Sequence, residues 1–381
     1  MHPFLGAARA KQPHTIELIR ELVECESPSD DPAAVSRFAD LVASKVRGGA
    51  KIRAFPGARF GKHLLCEIEL PGKRNERDGA ILALGHSDTV WPLGTLKSMP
   101  FRRARGRLWG PGVLDMKAGI AFFLTAIEIL SEMEAPVARR VRLLLVSDEE
   151  VGSESSRPVT EKIAAESAAV LVLEPGTGLE GKLKTERKGV GDYTVQVKGV
   201  ASHAGIAFGQ GASAVLELAR QIEKIASFTD LPRGVTVNPG VISGGTRSNV
   251  VAAEASVEVD IRVRRAKDAI ALDRKFRSLR AFDKRCKIEV KGGLNRPPME
   301  RTQAIQVLFG KARDWARELG VTLEESATGG GSDGNFTAGL GVPTLDGIGG
   351  IGEGAHASNE SILINRIADR TALLALLLSR L

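Results

Sequence analysis

The chain of 381 residues has few cysteines and few aromatic residues, and it has no long apolar run. Its three cysteines, Cys25, Cys66 and Cys286, are odd in number and far apart, so they predict neither a disulfide framework nor a CxxC site. No stretch approaches the roughly 18 apolar residues of a membrane helix, and residues 1–14 lack the apolar core of a secretory signal. We therefore expect a cytoplasmic protein that has no membrane partner.

Aromatic residues make up only 4% of the chain, which leaves few stacking platforms for single-stranded nucleic acid. The net charge is +7, but residues 262–287 alone hold eleven Lys/Arg and three Asp, so the excess is local. Within that segment Ala269, Leu272, Phe276 and Leu279 recur at helical spacing. We interpret it as a helix with a solvated basic face and expect no nucleic-acid partner. Binding of phosphate or nucleic acid by this face is the alternative.

The order of apolar segments predicts two domains. Strands and helices alternate over residues 60–180, and the short continuous apolar runs within RVRLLLVSDEE and AAVLVLEP suit a sheet that is covered on both faces. Half-exposed strands and two amphipathic helices follow in the order β-α-β-β-α-β, which is typical of a ferredoxin-like unit. We therefore expect an α/β catalytic domain with a mostly parallel sheet in two parts, 1–181 and 297–381. An inserted α+β lid or dimerisation domain would occupy residues 182–296.

Histidines and acidic residues stand where apolar runs end in small residues. The strings that hold them are GHSDTV (His86, Asp88), GVLDMKAG (Asp115), SDEEVG (Glu149, Glu150), LEPG (Glu174) and GAHASNE (His356). The carboxyl edge of an α/β sheet presents ligands in this way. Two imidazoles with three or four carboxylates suit zinc or a similar divalent ion, and they are too many for one tetrahedral ion. Two metals that share a carboxylate are therefore expected.

The residues alone leave other roles open. Asp115 precedes a helical segment and could be its N-cap. Glu149 and Glu150 could form a solvated acidic turn, although three consecutive acids are electrostatically costly without a cation. His356 lies in a glycine-rich loop that could be a simple turn.

Candidate residues also lie outside these strings. His203, in KGVASHAG, is a lone loop histidine, and such a residue is usually inert. Arg262 directly follows a strand, and its guanidinium suits a carboxylate, although it could be one more surface cation of the basic segment. The loop TGGGSDG lacks the GK[ST] of a phosphate loop, so we expect Gly330 and Gly331 to let backbone amides approach the substrate.

The chain resembles the glutamate carboxypeptidase, acetylornithine deacetylase and aminoacylase family of dinuclear zinc hydrolases. From about residue 15 to the C-terminus it shares with that family, in order, HSDTV, GVLDMKAG, SDEEVGS, LEPG, KGVASHAG, SNVV…DIRV, TGGGSD and GEGAHASNE. The stretches HSDTVWPLG and MPFRRARGRLWGPG look most like those of the bacterial glutamate carboxypeptidases, which cut C-terminal glutamate from folates. The resemblance implies a catalytic domain that carries the metals and a lid domain that forms a homodimer.

The resemblance also implies two Zn2+ ions per subunit, which Co2+ or Mn2+ could replace. It implies five ligands: His86 and Glu174 for one ion, His356 and Glu150 for the other, and Asp115 as the bridge. Asp88 would hold the far nitrogen of His86, a contact that fixes the tautomer of a ligand. Glu149 would be the general base.

For the inserted domain, the resemblance implies that His203 reaches the site of the partner subunit and stabilises the oxyanion. Asn249 and Arg262 match positions that bind the substrate carboxylate. The expected reaction is cleavage of an amide bond next to a free carboxylate in a small molecule, releasing an amino acid such as glutamate from a peptide or folate-like substrate.

Two alternative functions stay open. An N-acyl amino acid deacylase, of the acetylornithine deacetylase or aminoacylase type, would use the same motifs. A non-catalytic member of the family would keep only a structural metal, and the presence of Glu149 together with every ligand type argues against it.

Overall fold

The computed structural model describes residues 2–46, 49–73 and 79–381, which form two compact units. The first unit comprises Met1–Glu186, Arg301–Ala327 and Ser332–Leu381, and the second comprises Arg187–Glu300 and Thr328–Gly331. The sequence predicted domain boundaries after residues 181 and 296. The structure has them a few residues later, after Glu186 and Glu300. The loop 328–331, expected in the catalytic domain, belongs to the second unit.

The first unit contains helices and strands in alternation. Its helices are α1 (Pro3–Glu24), α2 (Pro32–Lys45), α3 (Ala118–Glu132), α4 (Arg157–Ala165), α7 (Gln303–Glu318), α8 (Gly334–Gly339) and α9 (Ile367–Arg380). Its large sheet consists of β1 (Ala50–Pro56), β2 (Lys62–Ile68), β3 (Ala80–His86), β6 (Val141–Val146), β7 (Ser167–Val172), β8 (Leu183–Arg187), β13 (Glu325–Thr328) and β14 (Thr344–Asp346). A smaller sheet consists of β4 (Arg102–Ala104), β5 (Arg107–Trp109), β15 (Gly352–Glu353) and β16 (Ser361–Leu363).

The large sheet has the order β1-β2-β6-β3-β7-β14-β8-β13. Its central strands β6, β3, β7 and β14 run parallel, while β1, β2 and β8 pair antiparallel. Parallel neighbours need helical crossovers, and these cover the faces of the sheet.

Side-chain alternation along the central strands builds two cores. In β6, Leu143 and Leu145 point into the core that contains α1, α3 and α9, whereas Leu144 and Val146 point into the core beneath α4. Helix α3 is buried from Ala118 to Leu130, because it packs between the sheet and α1 and α9. Apart from Arg142, strand β6 is therefore apolar on both faces, and the predicted doubly covered, mostly parallel sheet is confirmed.

The second unit is an antiparallel sheet with two helices. Its elements are β9 (Gly189–Lys198), α5 (Ala214–Ala226), β10 (Thr236–Gly244), β11 (Glu254–Val263), α6 (Ala266–Arg277) and β12 (Lys287–Arg296), and the strand order is β10-β11-β9-β12. Residues of β9 alternate between buried and accessible, so one face packs against the helices. This is the predicted β-α-β-β-α-β unit. Ala269, Leu272 and Phe276 form the buried side of α6, as expected.

No helix in residues 2–46, 49–73 and 79–381 combines the length and apolar character needed to cross a bilayer.

Candidate metal centre

The candidate ligands of the first unit gather at one edge of the large sheet. Strands β6, β3 and β7 are parallel neighbours, so their carboxyl ends meet there. His86 ends β3, Glu149 and Glu150 follow β6, and Glu174 follows β7. Ligand atoms of His86, Glu149 and Glu174 lie within 4.8 Å of one another, and so do those of His86, Asp115 and Glu150.

Asp115 lies between the two histidine rings. Its Oδ1 is 3.1 Å from Nε2 of His86, and its Oδ2 is 3.4 Å from Nε2 of His356. Nε2 of His86 is also 3.6 Å from Oε1 of Glu174, and Nε2 of His356 is 3.2 Å from Oε1 of Glu150. The two oxygens of one carboxylate thus face two separate His–Glu pairs, as a ligand shared by two ions would.

Asp115 is not the N-cap of α3. The helix begins at Ala118 with Lys117 at the cap position, and the backbone angles of Asp115 and Met116 are not helical. The peptide between Asp115 and Met116 is cis. The alternative of a capping role is therefore wrong.

Asp88 contacts both His86 and the turn after β6. Nδ1 of His86 lies 2.9 Å from the main-chain oxygen of Asp88 and 3.5 Å from its carboxylate. The buried carboxylate accepts hydrogen bonds from Oγ of Ser29 at 2.8 Å and from the backbone N–H groups of Glu149 and Glu150 at 3.2 Å each. The main-chain oxygen of Asp88 is thus the nearer partner of the His86 ring. The carboxylate of Asp88 binds the backbone of Glu149 and Glu150.

Carboxylates and imidazoles at this edge shift one another's pKa. Burial would lower the pKa of His86, but hydrogen bonds to Asp115, Asp88 and Glu174 raise it well above its usual value. Hydrogen bonds to Asp115 and Glu150 raise the pKa of His356 to about 10. Burial raises the pKa of Asp115, yet the two rings outweigh it and hold that pKa well below its ordinary range. The carboxylates therefore attract positive charge, which a divalent cation supplies when it displaces the ring protons.

The donor set fits a metal cofactor. Imidazole nitrogens and carboxylate oxygens are the ligands that zinc takes in hydrolases, and other divalent transition ions accept them too. Repulsion among carboxylates in a partly buried site falls when cations lie between them.

Two glycines let the loop that carries Glu174 lie close to α3. A Cβ at Gly119 would lie 2.0 Å from the carbonyl oxygen of Leu173, and one at Gly349 would lie 2.1 Å from the same atom. Gly349 also donates its N–H to the carbonyl of Glu174 at 2.9 Å. Larger side chains at either position would force the end of β7 to move, and Glu174 with it.

The second unit brings His203 and Asn249 together. The backbone N–H of Ala204 donates to the carbonyl of Asn249 at 3.0 Å. The exposed ring of His203 accepts the N–H groups of Gly205 and Ile206 on Nδ1, at 3.1 and 3.2 Å. The ring therefore has a fixed orientation within its own loop.

Arg262 and the glycine loop have partners that the sequence did not indicate. The guanidinium of Arg262 donates to both carboxylate oxygens of Asp260, with Nε to Oδ1 at 3.0 Å and Nη2 to Oδ2 at 2.8 Å. Nη1 of Arg187 donates to the carbonyls of Gly330 and Gly331 at 3.2 and 3.0 Å. Arg187 lies in the polar segment LEGKLKTERKG, where no local pattern marks it.

Sequence reasoning also missed residues that support the ligand segments. His63 is fully buried and accepts the backbone N–H of Ser147 at 3.2 Å, just before the turn with Glu149. Glu360 is fully buried and contacts the segment with Asp115. Of these, only Glu360 carried a signal, since it follows His356 within the same string, GAHASNE.

Comparisons with known proteins found relatives that match most of the chain. Carboxypeptidase G2 from Pseudomonas sp. (strain RS-16) is 28% identical over 381 residues, covering 98% of the chain and 90% of that protein. Succinyl-diaminopimelate desuccinylase from Azoarcus sp. (strain BH72) is 30% identical over 330 residues, covering 80% of the chain and 85% of that protein.

Solved structures share the fold. Aminopeptidase PepT from Bacillus cereus ATCC 10987 has a TM-score of 0.81 at 22% identity, covering 97% of the chain and 98% of that structure. The YXEP protein of Bacillus subtilis, described as a dinuclear metal binding peptidase from the M20 family, has a TM-score of 0.68 at 16% identity, covering 97% and 99%.

A sequence profile of Peptidase family M20/M25/M40 matches residues 82–380. The resemblance found in the sequence is therefore confirmed. The chain belongs to peptidase family M20/M25/M40 and is an enzyme, a metallohydrolase of that family.

Proposed function

We propose that the chain is a dinuclear-metal hydrolase that cleaves an amide bond next to a free carboxylate and releases a C-terminal amino acid such as glutamate. The main support is Asp115, whose two oxygens face His86 and His356 at 3.1 and 3.4 Å. We propose two Zn2+ ions at this site, with Co2+ or Mn2+ as substitutes. The similarity to carboxypeptidase G2 over 98% of the chain supports a carboxypeptidase reaction, and we propose a peptide or folate-like substrate.

In this proposal the protein positions the reacting groups and moves the proton. Bound divalent ions would polarise the scissile carbonyl and lower the pKa of water. Glu149 lies on the turn held by Asp88, within 4.8 Å of the ligand atoms of His86 and Glu174. Its carboxylate would take a proton from the attacking water and return it to the leaving nitrogen.

We further propose that two chains form a homodimer through the second unit. Strand β10 is at the edge of its sheet, and it exposes 57% of Val241 and 59% of Ile242. An edge strand offers unpaired backbone groups to a second strand. In such a dimer His203 would stabilise the oxyanion in the site of the other subunit.

For substrate recognition we propose Asn249, Arg262, Gly330 and Gly331. Because Asp260 engages Arg262 in a bidentate pair, a substrate carboxylate would have to share or replace that partner. The guanidinium of Arg262 presents a fork of N–H donors, and such a fork suits a carboxylate.

We propose a small-molecule substrate and no nucleic-acid partner. Part of the basic segment is already engaged, since Arg277 donates to the carbonyls of Val290 and Gly292 and pairs with Asp273. We also propose a reducing, cytoplasmic location, because the three cysteines are unpaired.

A second candidate function is an N-acyl amino acid deacylase. The similarity to succinyl-diaminopimelate desuccinylases at 30% identity favours it, and the same metal centre would carry out either reaction.

Substrate assays separate the two candidates. Purified protein with added Zn2+ would be given folate-like and peptide substrates that end in glutamate, and N-acetyl and N-succinyl amino acids, with kcat/KM measured for each. We expect the highest kcat/KM for release of glutamate. A higher value for release of acetate or succinate would favour the deacylase, and no hydrolysis of either class with two ions bound would contradict the proposed function.

A further inference from the structure

Glu360 has an unusual environment for a charged residue. Its side chain is fully buried, and its carboxylate accepts four hydrogen bonds. Oε1 accepts the backbone N–H groups of Leu114 at 2.8 Å and Asp115 at 3.1 Å, and Oε2 accepts the N–H of Gly112 at 2.9 Å and the indole N–H of Trp91 at 2.8 Å. Because all four partners are donors, the ionised carboxylate is the form that fits.

The segment bound by Glu360 needs such an acceptor. Gly112 has a left-handed φ of 70°, and Asp115 and Met116 depart from helical angles, so this segment is not a regular helix. Buried backbone N–H groups without acceptors are costly. The carboxylate of Glu360 accepts three backbone N–H groups of this segment, those of Gly112, Leu114 and Asp115, and thereby determines where the backbone of Asp115 lies.

The position of that backbone matters because Asp115 must face two directions. Its two oxygens lie 3.1 and 3.4 Å from rings on opposite sides, so a small rotation would lose one contact. Glu360 follows His356 by four residues, and the backbone between them is closed by a hydrogen bond from the N–H of Glu360 to the carbonyl of Ala357 at 2.9 Å. The segment that carries one ligand therefore also fixes the bridging ligand.

We propose that Glu360 is a positioning residue for the metal pair, which holds Asp115 so that it can bind both ions and sets its position relative to His356. This inference rests on the metal site of the proposed function. It assigns to Glu360 no contact with metal or substrate.

Glu360→Gln tests this inference because the side chain keeps its size. An amide has one acceptor oxygen, so in either orientation its NH2 group would face two of the four N–H donors. Metal affinity would be measured by competition with a chromophoric chelator, using Zn2+ and protein shown to be folded by circular dichroism. We expect affinity about 10–100-fold weaker than wild type. Steady-state kinetics with saturating metal should show a lower kcat with a nearly unchanged KM.

Glu217→Gln is a matched control in the second unit. Glu217 is also buried and accepts the backbone N–H groups of Phe282 and Asp283 and the amide of Gln221. Glu217→Gln should lower thermal stability as Glu360→Gln does, because each variant loses charge-assisted hydrogen bonds from a buried carboxylate to backbone N–H groups. Metal affinity in Glu217→Gln should equal that of wild type.

A wild-type affinity in folded Glu360→Gln, with two ions bound, would overturn the inference and leave the proposed function standing. A wild-type protein that binds no divalent ion would overturn both. If Glu360→Gln does not fold, Glu360→Asp takes its place, since it keeps the charge but is too short to reach every donor. We expect weaker metal binding in that variant as well, and unchanged binding would again overturn the inference.

Discussion

Replacement of Glu149 by Gln separates two roles that one side chain could play. Its carboxylate lies within 4.8 Å of ligand atoms of His86 and Glu174, close enough to act as a general base or as a further ligand. The backbone N–H of Glu149 donates to Asp88 at 3.2 Å, and the substitution leaves that bond in place. Gln has the same size but cannot accept the proton, so we expect kcat to fall by about 10²–10⁴-fold. This corresponds to about 3–5 kcal/mol of transition-state stabilisation.

The assay combines steady-state kinetics with elemental analysis of the same protein samples. We expect two ions per chain in both wild type and Glu149→Gln, and a similar KM, because a proton acceptor acts only on the chemical step. Glu149→Asp is the companion variant, since it keeps a carboxylate but withdraws it by one methylene, and we expect partial activity. A kcat of Glu149→Gln within about tenfold of wild type would refute the role of base. Loss of one ion would show that Glu149 is a ligand.

Three further predictions concern the metals, His203 and the dimer. Chelation should lower the melting temperature in scanning calorimetry, since an ion at 100 times its Kd stabilises the folded state by about 2.7 kcal/mol; equal melting temperatures with and without metal would contradict a metal site. His203→Ala should lower kcat while metal content stays constant, and unchanged kinetics would remove its role at the oxyanion. Ile242→Lys places a charge on the exposed edge strand β10 and should convert the dimer to a monomer in sedimentation velocity; a persistent dimer would place the interface elsewhere.

The sequence predicted the type of sheet but not the order of its strands. Strand β6 (Val141–Val146) is apolar except for Arg142 and is buried along its whole length, which is typical of strands covered on both faces. Strand order depends on pairing between segments far apart in sequence. It is this order, β6-β3-β7, that brings Glu149 and Glu174 to either side of His86. No local pattern contains that information.

The candidate ligands could be picked out from the sequence because each follows an apolar run, and the carboxyl edge of an α/β sheet presents ligands in this way. Their supporting contacts could not be predicted, since most of the donors are backbone N–H groups, which every residue other than proline carries. Asp88 illustrates the difference. The sequence placed its carboxylate against the ring of His86, but the main-chain oxygen is nearer, at 2.9 Å, and the carboxylate holds Glu149 and Glu150. Arg262 is a similar case, because the sequence did not indicate that its guanidinium pairs with the carboxylate of Asp260 in its own strand.

Buried carboxylates beside this site both accept hydrogen bonds from the backbone and supply negative charge. Asp88, Asp148 and Glu360 each accept backbone N–H groups from irregular segments beside the ligands. A carbonyl or hydroxyl could satisfy those donors at a smaller desolvation cost, but a carboxylate makes stronger bonds and carries charge. An amide at position 88 or 360 would fill the same space. It would nevertheless weaken the hydrogen bonds to the loop backbone and, at the same time, remove a negative charge near the proposed metal site.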